Sequence, residues 1–207
     1  MNYFISDLHF GHYNILKYER TCFKDINEHD NYIINILSQL HATDTLYILG
    51  DLGVPTLLLE LFNRISCEIV IILGNHDKQP KSFYETLPNV KAVYDKPLWY
   101  SKRILLSHEP LPVPQGCFNI HGHLHDSVLT LDNYINVSIH VADYKLLSSK
   151  KIDKVLSRTQ KPNWDFMYEW FAPYFKTLSP HTDLVYNEDN SINIEASRKR
   201  LKEKDNE

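Results

Sequence analysis

The chain has 207 residues, 43% of them hydrophobic and 23% charged, which suits one soluble domain with a sizeable core, with or without an appendage. A net charge of −4 argues against a duplex nucleic-acid binder, and no apolar run approaches the roughly 18 residues of a membrane span. The start, Met1-Asn2-Tyr3-Phe4-Ile5-Ser6-Asp7, lacks the basic region of a secretory leader, and three widely spaced cysteines (Cys22, Cys67, Cys117) exclude a disulfide framework and a thiolate zinc site. A reducing, cytoplasmic setting is expected.

In chain order, residues 2–6 read as a first strand, ended by Asp7-Leu8-His9-Phe10-Gly11-His12. Asp7 and His9 stand two apart, so in an extended segment their side chains share one side and can grip one ion. His12, after the glycine turn, is a candidate for the same pocket; the alternative is a loop histidine with no role. Residues 28–42 place Ile33, Ile36, Leu37 and Leu40 at helical spacing, a packing helix in which His29 and His41 receive no function. Residues 45–49 are a second strand, ended by Gly50-Asp51. Pro55 starts a helix whose buried stripe is Leu58, Leu61, Phe62 and Ile65.

The third strand, residues 68–73, ends in Gly74-Asn75-His76-Asp77. Strand and helix alternating at about twenty-residue spacing predict parallel β-α-β units, whose ligands sit beyond the carboxyl ends of the strands. A short helix follows over residues 81–87. Three β runs, 91–94, 97–100 and 103–106, are expected as hairpins, and the last ends at Ser107-His108. A proline-rich loop leads to a strand over 117–120, closed by His121-Gly122-His123-Leu124-His125. His121 is expected to pack in the strand or behind the site, and His140 to lie near its mouth in a structural role. Residues 128–131 and 134–139 are expected to form a closing hairpin. Residues 145–161 are rich in lysine and arginine, and 164–175 carry seven aromatics around a helix that is expected to pack on the main body, or else to form a lid or a dimer contact.

The polar strand ends together supply Asp7, His9, Asp51, Asn75, His76, Asp77, His108, His123 and His125. Carboxylates, imidazoles and an amide without thiolates suit Mn, Fe, Co or Zn rather than calcium or a structural zinc cage. The inventory is large enough for two ions, with Asp51 as the natural bridge. Two ions roughly 3.5–4 Å apart can generate a hydroxide at neutral pH and clamp the oxygens of a displacement at phosphorus.

Asp-x-His, Gly-Asp, Gly-Asn-His-Asp, His and Gly-His-x-His, in this order over residues 1–147, resemble the calcineurin-like metallophosphoesterase superfamily, its small stand-alone bacterial and phage members above all. The resemblance implies an α/β fold, a four-layer α/β/β/α sandwich of two mixed sheets flanked by helices. Residues 1–147 would form that domain, and 148–207 a helical extension packed on or near it. It further implies that Asp7, His9 and His125 bind a first divalent ion and that Asp51 bridges. Asn75, His108 and His123 would then bind a second. His76 would be the general acid, oriented by Asp77, and a metal-bridging hydroxide the nucleophile. Manganese is the expected metal, with Fe, Zn, Co or Ni as alternatives.

The expected activity is phosphoester hydrolysis. A diester is favoured, because no arginine in the motifs could hold the extra charge of a monoester dianion. A single-strand nuclease or cyclic-nucleotide phosphodiesterase is the second reading, since the basic run and the aromatics could hold a strand by charge and stacking. A phosphomonoesterase or a non-catalytic scaffold would be further alternatives. The expected partner is a phosphoester, nucleotides included, with no duplex nucleic acid and no membrane. A dimer through the aromatic helix is one possible assembly.

Overall fold

The structure, a computed structural model, describes residues 1–18, 22–114, 116–125, 129, 133–157, 196, 199 and 203. The aromatic segment 164–175 lies outside the described residues, as does most of 128–131.

Two mixed sheets and five helices make up the described part. The first sheet contains β1 (Asn2–Ile5), β2 (Thr45–Leu49), β3 (Glu68–Ile72), β4 (Val90–Tyr94) and β9 (Leu147–Ser148), in the order β4-β3-β2-β1-β9. Its first four strands are parallel, and β9 pairs antiparallel with β1. The second sheet runs β5 (Leu98–Ser101), β6 (Ile104–Leu106), β7 (Phe118–His121) and β8 (Tyr134–Asn136). Here β5 and β6 form a hairpin, while β6, β7 and β8 are parallel.

Strand alternation distributes the core. Ile5, Leu46, Ile48, Ile69 and Ile71 face one side of the first sheet. There they pack against Ile33 and Leu37 of α2 (Ile26–Ser38) and Leu58, Leu61 and Phe62 of α3 (Pro55–Asn63). The intervening residues, Phe4, Leu49 and Ile72, face the other way and meet Ile104, Leu106 and Ile120 of the second sheet. Among the described residues, Leu111 and Val113 of the proline-rich loop cover Leu105 on the outer face of that sheet. The expected α/β sandwich of two mixed sheets is therefore present.

Local signals explain the helix starts. Asp25 caps α2 by accepting a bond from Glu28 N–H (2.9 Å), while Glu28 accepts one from Lys24 N–H (2.6 Å), a reciprocal closure of the first turn. Pro55 occupies the opening of α3, where its missing N–H costs nothing. A single turn, α1 (Ile15–Tyr18), follows the first motif.

One expectation is corrected. Residues 91–94 do not form a hairpin with 97–100; α4 (Lys81–Glu85) and the turn after it are long enough for a crossover, so β4 joins β3 in parallel. Asn89, in the left-handed region at φ 62°, makes that turn and ties its side-chain amide to Ile65 O (2.7 Å). Of the expected hairpin of 128–131 with 134–139, the first arm lies mostly outside the described residues. β8 extends the second sheet in parallel, and the chain then crosses to the first sheet, where Ser6 exchanges backbone bonds with Val137 and Ile139 (both 3.0 Å). The strand β9 spans the point between 147 and 148 where the helical extension was expected to begin. Beyond it, α5 (Ser149–Leu156) buries Ile152 between the sheets and turns Lys150, Lys151 and Lys154 to solvent.

Candidate metal centre

The parallel strands β1, β2 and β3 of one sheet and β6 and β7 of the other end on the same side of the molecule. All the candidate ligands lie just past those ends, and they gather into two groups. Asp7, His9 and His125 form the first; Asp51, His108 and His123 form the second, and within each group the ligand atoms lie within 4.8 Å of one another. Asn75 joins the second group, its Oδ1 standing 2.8 Å from His108 Nε2 and 3.2 Å from His123 Nδ1. Asp51 Oδ2 lies between the groups, 3.6 Å from His9 Nε2 and 3.5 Å from His108 Nε2.

The backbone at these positions is unusual. Asp7 (φ 57°), His9 (46°), Asp51 (55°), His123 (67°) and His125 (48°) all occupy the left-handed region that side chains other than glycine rarely adopt. Such conformations cost about 1–3 kcal/mol each and persist where surrounding structure enforces them. The enforcement is visible. Asp7 N–H donates to Gly50 O, His9 N–H to Asp51 O and Phe10 N–H to Leu52 O, each at 3.0 Å, so the chains leaving β1 and β2 stay zipped together beyond the sheet. Asp7 and His9 therefore converge through a kinked backbone and not, as expected, through the side-chain alternation of an extended strand.

Further bonds aim the ligands. The carboxylate of Asp7 accepts from His123 N–H at 2.9 and 3.1 Å, tying the first and last motifs together. His108 donates its Nδ1–H to Leu49 O (2.8 Å), which leaves the Nε2 lone pair facing Asn75 Oδ1. An imidazole nitrogen without a proton, set against a carbonyl oxygen and a carboxylate, is a repulsive arrangement that a cation turns into an attractive one. The donor set thus fits divalent metal on its own chemistry.

His76 is exposed, with its ring centroid 5.7 Å from that of His9, and its backbone N–H donates to Asp51 Oδ1 (2.9 Å). Asp77 is buried behind the site. Its Oδ2 accepts from Asp51 N–H and Gly74 N–H (both 2.8 Å) and its Oδ1 from Leu52 N–H (3.0 Å). Burial pushes its carboxyl up to about 6, against the pull of those three amides; the nearby Asp51 raises it further. Both oxygens thus engage the loops that carry the ligands. His12 stacks on His9 at 5.5 Å, and its Nδ1 lies 3.4 Å from that of His9. Burial and, next, the charge of His76 lower its basicity.

Sequence reasoning passed over several supports. Asp30 on α2 accepts bonds from Gly11 N–H (3.1 Å) and from the buried His29 ring (2.8 Å), pinning the first motif loop to the helix. A polar residue on a helix is too ordinary to signal this. Gly74 and Gly122 were read as strand stops, but each is a close approach: a Cβ on Gly74 would overlap Asp51 Oδ1, and one on Gly122 would overlap Ser6 Oγ and Asp7 Oδ2. Gly122→Ala is accordingly expected to cost about 1–3 kcal/mol of stability and to weaken metal binding at the first group about 10- to 100-fold. Thermal melts and metal titration of the variant check both.

His121 belongs to neither ligand group. Its Nδ1–H donates to Gly122 O (2.8 Å), and its Nε2 is buried without a hydrogen-bond partner. Burial pushes its pKa down from 6.5 to about 4. Since the folded state holds the ring neutral while the unfolded chain binds a proton below pH 6.5, the group has no effect on stability above pH 6.5 and lowers it as pH falls from 6.5 towards 4, by about 3 kcal/mol in all. Urea unfolding of the metal-free protein at pH 7.5 and 4.5 tests this: His121→Asn should lose less stability between the two than the parent chain. His140 contacts the Tyr144 ring at 6.3 Å.

A two-sheet α/β sandwich whose converging strand ends carry paired carboxylate–histidine groups has the makings of a metal-dependent hydrolase. The calcineurin-like phosphoesterase family model matches residues 3–198, and the chain belongs to that family. It is 32% identical to an uncharacterized protein of Methanocaldococcus jannaschii, over 75% of this chain and 91% of that protein. A solved structure, a protein of unknown function from Aquifex aeolicus, superimposes with a TM-score of 0.59 at 30% identity, covering 75% of this chain and 98% of that one. No helix among the described residues is long and apolar enough to cross a membrane.

Proposed function

We propose that this chain hydrolyses phosphodiesters with two divalent ions, manganese by preference, held by Asp7, His9 and His125 on one side and by Asn75, His108 and His123 on the other. The observation that carries the reading is Asp51 Oδ2, placed within 3.6 Å of an imidazole from each group. A carboxylate so placed is suited to bridge. Bound ions would supply Lewis acidity, lowering the pKa of a water and neutralising charge on phosphoryl oxygens. The chain does the rest. The Leu49 carbonyl fixes the His108 tautomer, and His123 N–H fixes the Asp7 carboxylate. His76, exposed beside His9, protonates the departing oxygen.

The substrate preference rests on charge. The motif loops bring histidines but no arginine to the site, which favours the monoanion of a diester over a monoester dianion. The second reading, a nuclease for single strands, draws on the exposed lysines of α5. It predicts activity on polymers that falls steeply with salt. The three cysteines are free, and Cys67 and Cys117 are buried with thiols pushed up to about 11, which suits a reducing compartment such as the cytoplasm.

The test is hydrolysis of bis-p-nitrophenyl phosphate against p-nitrophenyl phosphate by metal-stripped protein, with Mn, Ni, Co, Zn and Mg restored in turn. Diester turnover that needs metal and drops on the order of 100-fold or more in Asp51→Asn supports the proposal. Preference for the monoester overturns the diester assignment, and no turnover with any metal overturns the hydrolase.

A further inference from the structure

A cavity of about 270 Å³ adjoins the second ligand group. It is built from the end of β3, the loop joining β4 to β5 and the stretch after β6, so it sits where the two sheets part. Asn75 and His108 are the only candidate ligands among the described residues that line it, and Pro97 and Leu111 contribute apolar wall. His76 stands at the other group, its ring against His9. The proton donor and the cavity thus lie on different flanks of the centre. In a diester held between the groups, the substituent protonated by His76 departs on the His9 flank. The substituent that stays on phosphorus is left facing the cavity.

From this, and resting on the hydrolase reading above, we propose that the cavity is a specificity pocket for the retained substituent of a small phosphodiester. Its size falls just below the roughly 300 Å³ at which pockets for whole drug-sized ligands begin, so it takes part of a substrate. The charged groups on its lining are the carboxylates of Asp95 and Glu109 and the ammonium of Lys96, which leave one negative charge in excess. A second anionic group on the substrate is therefore disfavoured. Hydroxyls and amides suit those carboxylates as donors, while Pro97 and Leu111 offer a surface for a ring. The class of substituent that meets these conditions is a polar, uncharged ring group of nucleoside or sugar size.

Two diesters with the same leaving group isolate the pocket: p-nitrophenyl thymidine 5′-phosphate, which retains a nucleoside, and methyl p-nitrophenyl phosphate, which retains only a methyl. With manganese-loaded full-length protein, kcat/KM for the nucleoside ester should exceed that for the methyl ester about tenfold or more, chiefly through KM. Pro97→Trp, which narrows the cavity, should bring the ratio towards one, and thymidine 5′-monophosphate should inhibit more tightly than methyl phosphate in the parent protein. A ratio near one in the parent, or an unchanged ratio in a folded Pro97→Trp protein, overturns the pocket and leaves the hydrolase standing. Turnover of neither ester overturns both.

Discussion

Asp77→Ala is expected to destabilise the protein by about 3–5 kcal/mol, lowering Tm on the order of 10 °C, and to weaken metal binding with it. The reason lies in what its carboxylate accepts. Three backbone N–H groups, from Asp51, Leu52 and Gly74, converge on it from two different loops, and the residue is buried. Truncation leaves all three donors without this acceptor, at about 1–3 kcal/mol apiece before relaxation. The damage also reaches function, because the strained backbone at Asp51 (φ 55°) is one of the conformations this bracing maintains. Asp77→Asn should be harmed as well. Its amide offers one acceptor oxygen where the carboxylate has two, and it turns an NH2 group towards backbone donors.

The result decides between two roles for Asp77. The resemblance to metallophosphoesterases casts it as the orienter of His76, whereas the hydrogen bonds engage it with the loops. A brace predicts lost stability and lost metal affinity, read by melts and metal titration, with the dependence of rate on leaving group unchanged. An orienter predicts a stable Asp77→Asn protein in which poor leaving groups suffer selectively.

That pairing reflects what a sequence can and cannot disclose. Five apolar runs each end in polar groups, and parallel β-α-β order sends the first three such ends to one side. The gathering of Asp7, Asp51 and Asn75 thus followed from pattern and topology, whereas His108 and His123 joined them through the repeated motif and the family resemblance. The sandwich was legible only through the family resemblance; the structure shows its physical basis, Phe4, Leu49 and Ile72 alternating with residues that face the helices so that both faces of the sheet are apolar. Backbone conformation was not legible. Aspartate and histidine at φ near 50° carry no compositional mark as glycine would, so Asp7 and His9 were assigned to the right neighbourhood through the wrong geometry. The brace at Asp77 and the anchor at Asp30 were hidden because each acts on backbone amides far away in sequence, which side-chain spacing does not encode. A two-residue strand such as β9 falls below any periodic signal, and its partner β1 reveals it only in three dimensions.

His76→Asn should divide substrates by their leaving groups. When an alkoxide departs it must be protonated, and a positioned general acid contributes about 10²- to 10⁴-fold to that step. When p-nitrophenolate departs it is stable as an anion and gains little from a proton. With manganese restored, the variant should therefore lose about 10²-fold or more in kcat/KM on a dialkyl or nucleoside alkyl diester while changing far less on bis-p-nitrophenyl phosphate. The exposed ring, beside His9 and with its backbone N–H donating to Asp51, makes the substitution local: its removal strips no ligand from either group and buries no unpaired donor among the described residues. Metal affinity and Tm should accordingly stay near those of the parent, in contrast to Asp77→Ala. An equal loss on both kinds of ester would assign His76 to binding the phosphoryl group instead of protonating the leaving oxygen. A loss confined to poor leaving groups would place proton transfer at this imidazole, and the contrast with Asp77→Asn would then separate the residue that delivers the proton from the one that holds the loops in place.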